Sequence, residues 1–94
     1  MLTVIAKIIA KKTKVAETKA LLQSLVAPTL QEEGCIQYDL HQGSAEEQVF
    51  FFYENWEDRN ALEKHLANTH LVAFKDKAQD LLEKPMEVFL LSKL

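Results

Sequence analysis

The apolar positions of this chain switch between a spacing of two and a spacing of three to four, and the switches mark out its elements. Residues 2–10 (LTVIAKIIA) alternate, with Leu2, Val4, Ala6 and Ile8 on one side and Thr3, Ile5, Lys7 and Ile9 on the other, which predicts a strand. After Thr13, a residue suited to an N-cap, Val15, Leu22, Leu25, Val26 and Leu30 form a helical stripe that ends before Gly34. Pro28 lies inside that stripe and predicts a kink or restart near Ala27. Cys35 to Gln42 alternates again, with Ile36, Tyr38 and Leu40 pointing one way. The polar link from Gly43 to Glu47 fits a hairpin loop, and Gln48 to Trp56 (QVFFFYENW) gives the strongest strand signal of the chain. Asp58 can cap a helix carrying Ala61, Leu62, His65 and Leu66. The stripe resumes with Leu71, Phe74, Ala78, Leu81 and Leu82 after a polar Asn68-Thr69 step, so two helical segments with a break near residue 69 are expected. Pro85 stops the helix, and Met86 to Lys93 alternates as a closing strand.

This βαββαβ order predicts an α+β, ferredoxin-like fold: a four-stranded antiparallel sheet with the helices on one face. At 94 residues, one domain spanning 1–94 is expected. The third strand is apolar on both sides, with Val49, Phe51 and Tyr53 opposed to Phe50, Phe52 and Trp56, the first strand carries Ile5 and Ile9 opposite its Val4 and Ile8 row, and the helices can cover only one face. Monomers seldom expose apolar patches beyond a few hundred Å², and burial is worth roughly 25 cal/mol per Å². The expectation is therefore a homodimer packed sheet against sheet, a dimeric α+β barrel with helices outside.

Composition narrows the functional classes. Eleven Lys and Arg against fourteen Asp and Glu give a net charge of −3, without a basic run, so nucleic acid is not an expected partner. No stretch reaches 18 apolar residues, and Lys7, Lys11, Lys12 and Lys14 follow the N-terminal apolar run rather than precede it, the reverse of a signal peptide; a cytoplasmic protein without membrane contact is expected. Cys35 is the single cysteine, which excludes an intrachain disulfide and Cys-rich zinc motifs. The sequence also lacks a Gly-rich phosphate loop, a dinucleotide fingerprint, a nucleophile-elbow serine, a His-Glu-x-x-His motif and an EF-hand loop.

Few side chains remain that could do chemistry. Glu54 shares a strand face with Phe50, Phe52 and Trp56, so its carboxylate needs a hydrogen-bond partner, whether at the strand end or in a pocket. His65 borders the inward face of its helix. His70, five residues on, would be rotated by about 140° on an unbroken helix, and only a break at Asn68-Thr69 brings both toward one cavity; two histidines without a third ligand nearby in sequence are weak evidence for a metal. By spacing alone each histidine fits a packing or capping role better than a catalytic one. Cys35 has no basic neighbour and reads as a structural thiol, Tyr38 as a core residue or a pocket hydroxyl, and His41 has no assignable role.

Taken together, the opening MLTVIAKI strand, Glu33-Gly34-Cys35-Ile36-Gln37-Tyr38, Glu54-Asn55-Trp56, His65 and Thr69-His70 before Phe74 resemble the antibiotic biosynthesis monooxygenase family, which includes quinol monooxygenases. The resemblance spans nearly the whole chain and implies a dimeric α+β barrel that oxidises a small aromatic or quinol-type substrate with dioxygen as co-substrate, without flavin, haem or metal. It implies His65 for proton transfer, His70 in an assisting role, Trp56, Phe52 and Phe74 as cavity walls, and Glu54 and Tyr38 as polar contacts to substrate. Haem-degrading relatives need an asparagine on strand one, a tryptophan near the position of His65 and a histidine near that of Lys75, and this sequence has none of the three. The alternatives within the same fold are a non-catalytic small-ligand-binding or stress-associated dimer, and an oxygen-independent isomerase or degrading enzyme of small metabolites.

Overall fold

The aromatic third strand sits inside the sheet and sets the layout around it. A computed structural model describes residues 1–94, in the order β1 (Leu2–Ile9), α1 (Val15–Leu30), β2 (Cys35–Gln42), β3 (Val49–Trp56), α2 (Arg59–Leu66), α3 (Thr69–Leu81) and β4 (Glu87–Leu91). The sheet order is β2-β3-β1-β4, and every neighbouring pair is antiparallel. This is the α+β, ferredoxin-like arrangement expected from the sequence.

One face of the sheet carries Val4, Ala6, Ile8, Phe50, Phe52 and Trp56, all buried against Leu22 and Leu25 of α1, Leu62 of α2 and Leu71, Phe74 and Ala78 of α3. Ala6 lies opposite Phe52 and Ile8 opposite Phe50, so small and large side chains alternate across the β1–β3 ladder. The other face is not covered. There Ile5, Ile9, Val49 and Phe51 are half-buried, and Tyr53, Phe89 and Leu91 are exposed. A polar chain crosses one end of that face: the Thr3 hydroxyl donates to Asn55 Oδ1 at 2.7 Å, and Asn55 Nδ2 donates to Gln37 Oε1 at 2.7 Å.

Four local expectations change. The helix α1 begins at Val15, with Lys14 rather than Thr13 in the capping position. It also continues past Pro28 to Leu30 instead of restarting. Proline removes the donor that would reach the Ser24 carbonyl, but Ser24 and Pro28 both lie on the exposed side, where solvent can reach that carbonyl. The buried stripe of α1 is Thr18, Leu22, Leu25 and Thr29, while Leu30 is exposed. Threonine is tolerated there because each hydroxyl has a partner; that of Thr18 donates to the Lys14 carbonyl at 2.7 Å. Finally, the β2–β3 register shifts between Cys35 and Gln37, and this irregularity turns Ile36 out to solvent while Tyr38 stays buried.

Gly34 makes the turn from α1 into β2. Its φ of +84° is the only positive value in the chain, its carbonyl accepts from Glu57 N at 2.9 Å, and an added Cβ would lie 2.5 Å from Ala61 Cβ. Both the left-handed backbone and the contact exclude a side chain. Gly34→Ala is expected to lower stability by about 2 to 5 kcal/mol, the sum of αL strain and overpacking, measured by urea unfolding; an unchanged midpoint would show that the turn relaxes freely.

Candidate active site

The break between α2 and α3 brings the two histidines together. The helix α2 is capped as the sequence predicts, with Asp58 Oδ1 accepting from Ala61 N at 2.9 Å, and α3 restarts at Thr69. His65, near the C-terminal end of α2, and His70, in the first turn of α3, therefore point at one group instead of diverging by the angle of a continuous helix. That group is Glu32, just past the C-terminal end of α1. Its Oε2 lies 2.8 Å from His65 Nδ1 and 2.9 Å from His70 Nε2. Thr29, one turn earlier, places its hydroxyl 3.2 Å from the same His70 nitrogen.

The protonation pattern follows from the donors available. An ionised carboxylate only accepts, so His65 donates through Nδ1–H and His70 through Nε2–H. In its neutral form His65 then has a free lone pair on Nε2, a nitrogen with no protein partner. Trp56 lies tilted against the imidazole, with ring centroids 4.6 Å apart, and Tyr38 meets it edge-on at 5.5 Å. His65 is only 2% exposed, and burial pulls its pKa below the ordinary value despite the opposing pull of Glu32; the imidazole is neutral at neutral pH.

A second carboxyl group lies across the same space. Glu54 is 4% exposed, accepts from Trp56 Nε1 at 2.9 Å, and is paired in register with Tyr38 and Val4. Burial raises its pKa from 4.5 to about 7, with Trp56 lowering it and Glu32 adding to the rise. Tyr38, stacked on Phe52 at 4.4 Å, is pushed far upward by burial and by the Glu54 carboxylate, so its phenol stays protonated. Burial and Glu32 likewise push the Cys35 thiol to about 11, which makes it a poor nucleophile.

Of the residues singled out in the sequence, His65, Tyr38, Phe52, Glu54 and Phe74 line one small cavity between sheet and helices, of about 20 Å³. That is room for about one water molecule. His70 joins through Glu32, and Trp56 stands behind His65 as a support rather than as a wall. His41 is exposed on β2 and takes no part. Sequence reasoning missed Glu32, Thr29 and Met86. The first belongs to a Glu32-Glu33 pair at a helix end, where acidic residues usually face water, and only its contact with a histidine 33 positions away distinguishes it. Phe74 and Met86 also border a larger groove of about 430 Å³ on the outer side, lined further by Lys75, Leu82 and Pro85.

Known proteins agree with this architecture. A family model described as antibiotic biosynthesis monooxygenase matches residues 1–77. This chain belongs to that family. It is 36% identical over 88 residues to "Putative monooxygenase YcnE" of Bacillus subtilis (strain 168), a match covering 94% of this chain and 93% of that protein. It is 37% identical over 78 residues to "Uncharacterized protein sll1783" of Synechocystis, covering 83% of this chain but 53% of that protein, so the chain spans about half the length of that relative. The crystal structure of PA3566 from Pseudomonas aeruginosa superposes with a TM-score of 0.94 at 36% identity, covering 99% of this chain and 93% of that one. Within this monooxygenase family member, the helix-facing side of β3 supplies the cavity residues and the opposite side remains the bare one.

The raised Glu54 pKa has a consequence for stability. The folded carboxyl keeps its proton to higher pH than an unfolded one, so the stability it confers is complete below about pH 4.5 and is lost as pH rises through about 7. Glu54→Gln cannot lose that proton. Relative to wild type, the variant is expected to gain about 3 kcal/mol between roughly pH 4.5 and pH 8, read from urea unfolding at a series of pH values. The His65 contribution has the opposite sign and cancels in this comparison, so parallel pH profiles would mean that Glu54 ionises normally.

Proposed function

We propose that this protein oxidises a small aromatic or quinol-type substrate with dioxygen, without flavin, haem or metal, and that His65 accepts the proton that starts the reaction. The observation that carries this reading is the 2.8 Å bond from Glu32 to His65, whose imidazole lines a cavity shared with Tyr38, Phe52 and Phe74. A buried carboxylate on one imidazole nitrogen fixes the tautomer, leaves the other nitrogen basic, and stabilises the imidazolium that proton transfer creates. The relatives named as monooxygenases support the oxygen reaction. In the proposed sequence, Nε2 of His65 removes the proton of a phenolic hydroxyl, and the resulting anion passes one electron to dioxygen. Recombination forms a carbon–oxygen bond as a hydroperoxide, and cleavage of its O–O bond with loss of water leaves a carbonyl. Phenol and dioxygen become quinone and water, with the substrate supplying all four electrons. Glu54, neutral up to about pH 7, can donate to a substrate oxygen.

An aromatic ring needs more room than the cavity offers. Phe74 and Met86 stand between it and the outer groove, and rotation of the flexible Met86 side chain would merge the two spaces. Cytoplasmic residence remains part of the proposal. No helix is long and apolar enough to cross a membrane.

Oxygen uptake tests the chemistry directly. With a panel of quinols and phenols in the presence of a metal chelator, wild type is expected to consume oxygen, and His65→Asn to lose about 10²- to 10⁴-fold in kcat. Saturable binding without oxygen consumption would replace this reading with ligand sequestration, and oxygen-independent turnover would replace it with an isomerase or degrading enzyme.

The proposal includes a second copy of the chain. Tyr53, Phe89 and Leu91, with Ile5 and Phe51 between them, form an apolar surface that a twin sheet would cover. Sedimentation at micromolar concentration is expected to give twice the 10.8 kDa chain mass, and Phe89→Asp to shift the distribution toward monomer. A wild-type protein sedimenting only as a single chain would remove the barrel from the proposal.

A further inference from the structure

The three groups that meet at Glu32 are also a set of metal ligands. His65 Nδ1, His70 Nε2 and a Glu32 carboxylate oxygen all lie within 4.8 Å of one another. Two of the edges, 2.8 and 2.9 Å, are occupied by hydrogen bonds. Ligands bound at ~2.0 to 2.2 Å in a tetrahedral site sit ~3.3 to 3.6 Å apart, so exchanging the bridging protons for a cation opens those edges by only about half an ångström. The third edge closes by a modest rotation of His70, whose side chain is 22% exposed against 3% for His65. That exposure also supplies an entry path. The Thr29 hydroxyl, 3.2 Å from His70 Nε2, stands where it could hydrogen-bond a metal-bound water. Two imidazoles with one carboxylate favour borderline cations over Mg²⁺ and Ca²⁺, which prefer all-oxygen sites.

We propose that Glu32, His65 and His70 bind a divalent late first-row transition metal such as Zn²⁺, Cu²⁺ or Co²⁺, and that the bound metal holds the site inactive. Coordination through Nδ1 forces the remaining proton of His65 onto Nε2, so the nitrogen facing the cavity becomes a donor and no longer accepts a proton. The inhibitory half of this proposal rests on the reaction proposed for His65. The binding half stands without it.

Trp56 is the single tryptophan of the chain, and its ring centroid lies 4.6 Å from that of His65, so a paramagnetic ion at this site quenches its fluorescence. The experiment titrates tag-free, full-length protein with CoCl₂ in the absence of substrate, following Trp56 emission and the visible absorption of bound Co²⁺. One equivalent is expected to bind, and Zn²⁺ to displace it and restore the emission. His70→Asn and Glu32→Gln are each expected to weaken binding by at least ~10-fold, a lower bound because loss of even an outer-shell partner costs that much, whereas His41→Ala is expected to leave it unchanged. Circular dichroism identifies a variant that fails to fold; His70→Asn, altering a partly exposed residue, decides the matter if Glu32→Gln does. Absence of Co²⁺ binding to wild type, unchanged binding in folded His70→Asn, or loss of binding in His41→Ala would each overturn the site. Metal binding that leaves oxygen uptake unimpaired would overturn the inhibitory half alone, and absence of any oxygen uptake would count against the proposed reaction while leaving the metal site standing.

Discussion

One carboxylate oxygen, Oε2 of Glu32, holds the ends of three helices in place. It lies just past the C-terminal end of α1 and accepts from His65 near the end of α2 and from His70 at the start of α3. The Glu32 side chain is only 10% exposed, so its charge needs these donors. Removing one of them leaves a poorly solvated anion, and the cost of that orphaned charge exceeds the worth of either bond alone. The break between α2 and α3 is thus more than a consequence of a polar Asn68-Thr69 step. A continuous helix would carry His70 away from Glu32 and leave the carboxylate with one partner.

The site also separates its charges by environment. Burial depresses the pKa of His65 and raises that of Glu54 to about 7, and in both cases it favours the neutral form. Around neutral pH the His65 base is then neutral, and the Glu54 carboxyl still carries its proton in a large share of the molecules. Two titratable groups with opposite environmental shifts, facing one space, can serve as a donor and an acceptor.

The sequence carried the fold clearly and the site in part. Strand periodicity and the Gly34, Asp58 and Pro85 boundaries were legible because local chemistry sets them. The aromatic duplication on β3 foretold that one apolar face would be left bare, and only the packing of the helices on Phe50, Phe52 and Trp56 decides which. Pro28 misled because a proline in the last turn of a helix, over an exposed carbonyl, costs much less than one in the interior. Ile36 misled because the register shift beside Gly34 depends on how β2 meets β3, which no local pattern encodes. Tyr38, Phe52, Glu54, His65 and Phe74 were found through the strand and helix faces they share. Glu32 was not, since its role exists only through contacts with residues 33 and 38 positions away.

The proposed reaction makes a quantitative demand on that carboxylate. An ordinary phenol has a pKa near 10 and an ordinary imidazole near 6.5, so proton transfer between them runs uphill by about 5 kcal/mol. Burial alone would steepen the climb, because it disfavours both the phenolate and the imidazolium. A unit negative charge about 4 Å from a unit positive one contributes roughly 4 kcal/mol at an effective dielectric of 20, which offsets part of the burial penalty on the imidazolium, although burial still holds the His65 pKa below its ordinary value. Glu32 is placed to supply that term, on the nitrogen opposite the one that takes the proton. His65 in the same dry cavity without Glu32 would be a base too weak for its substrate, and His65 in water would be stronger but would expose the oxidised intermediate to solvent. The buried histidine therefore makes chemical sense only together with the helix-end carboxylate behind it, which makes α1, rather than the strand that lines the cavity, the element on which the proposed chemistry turns.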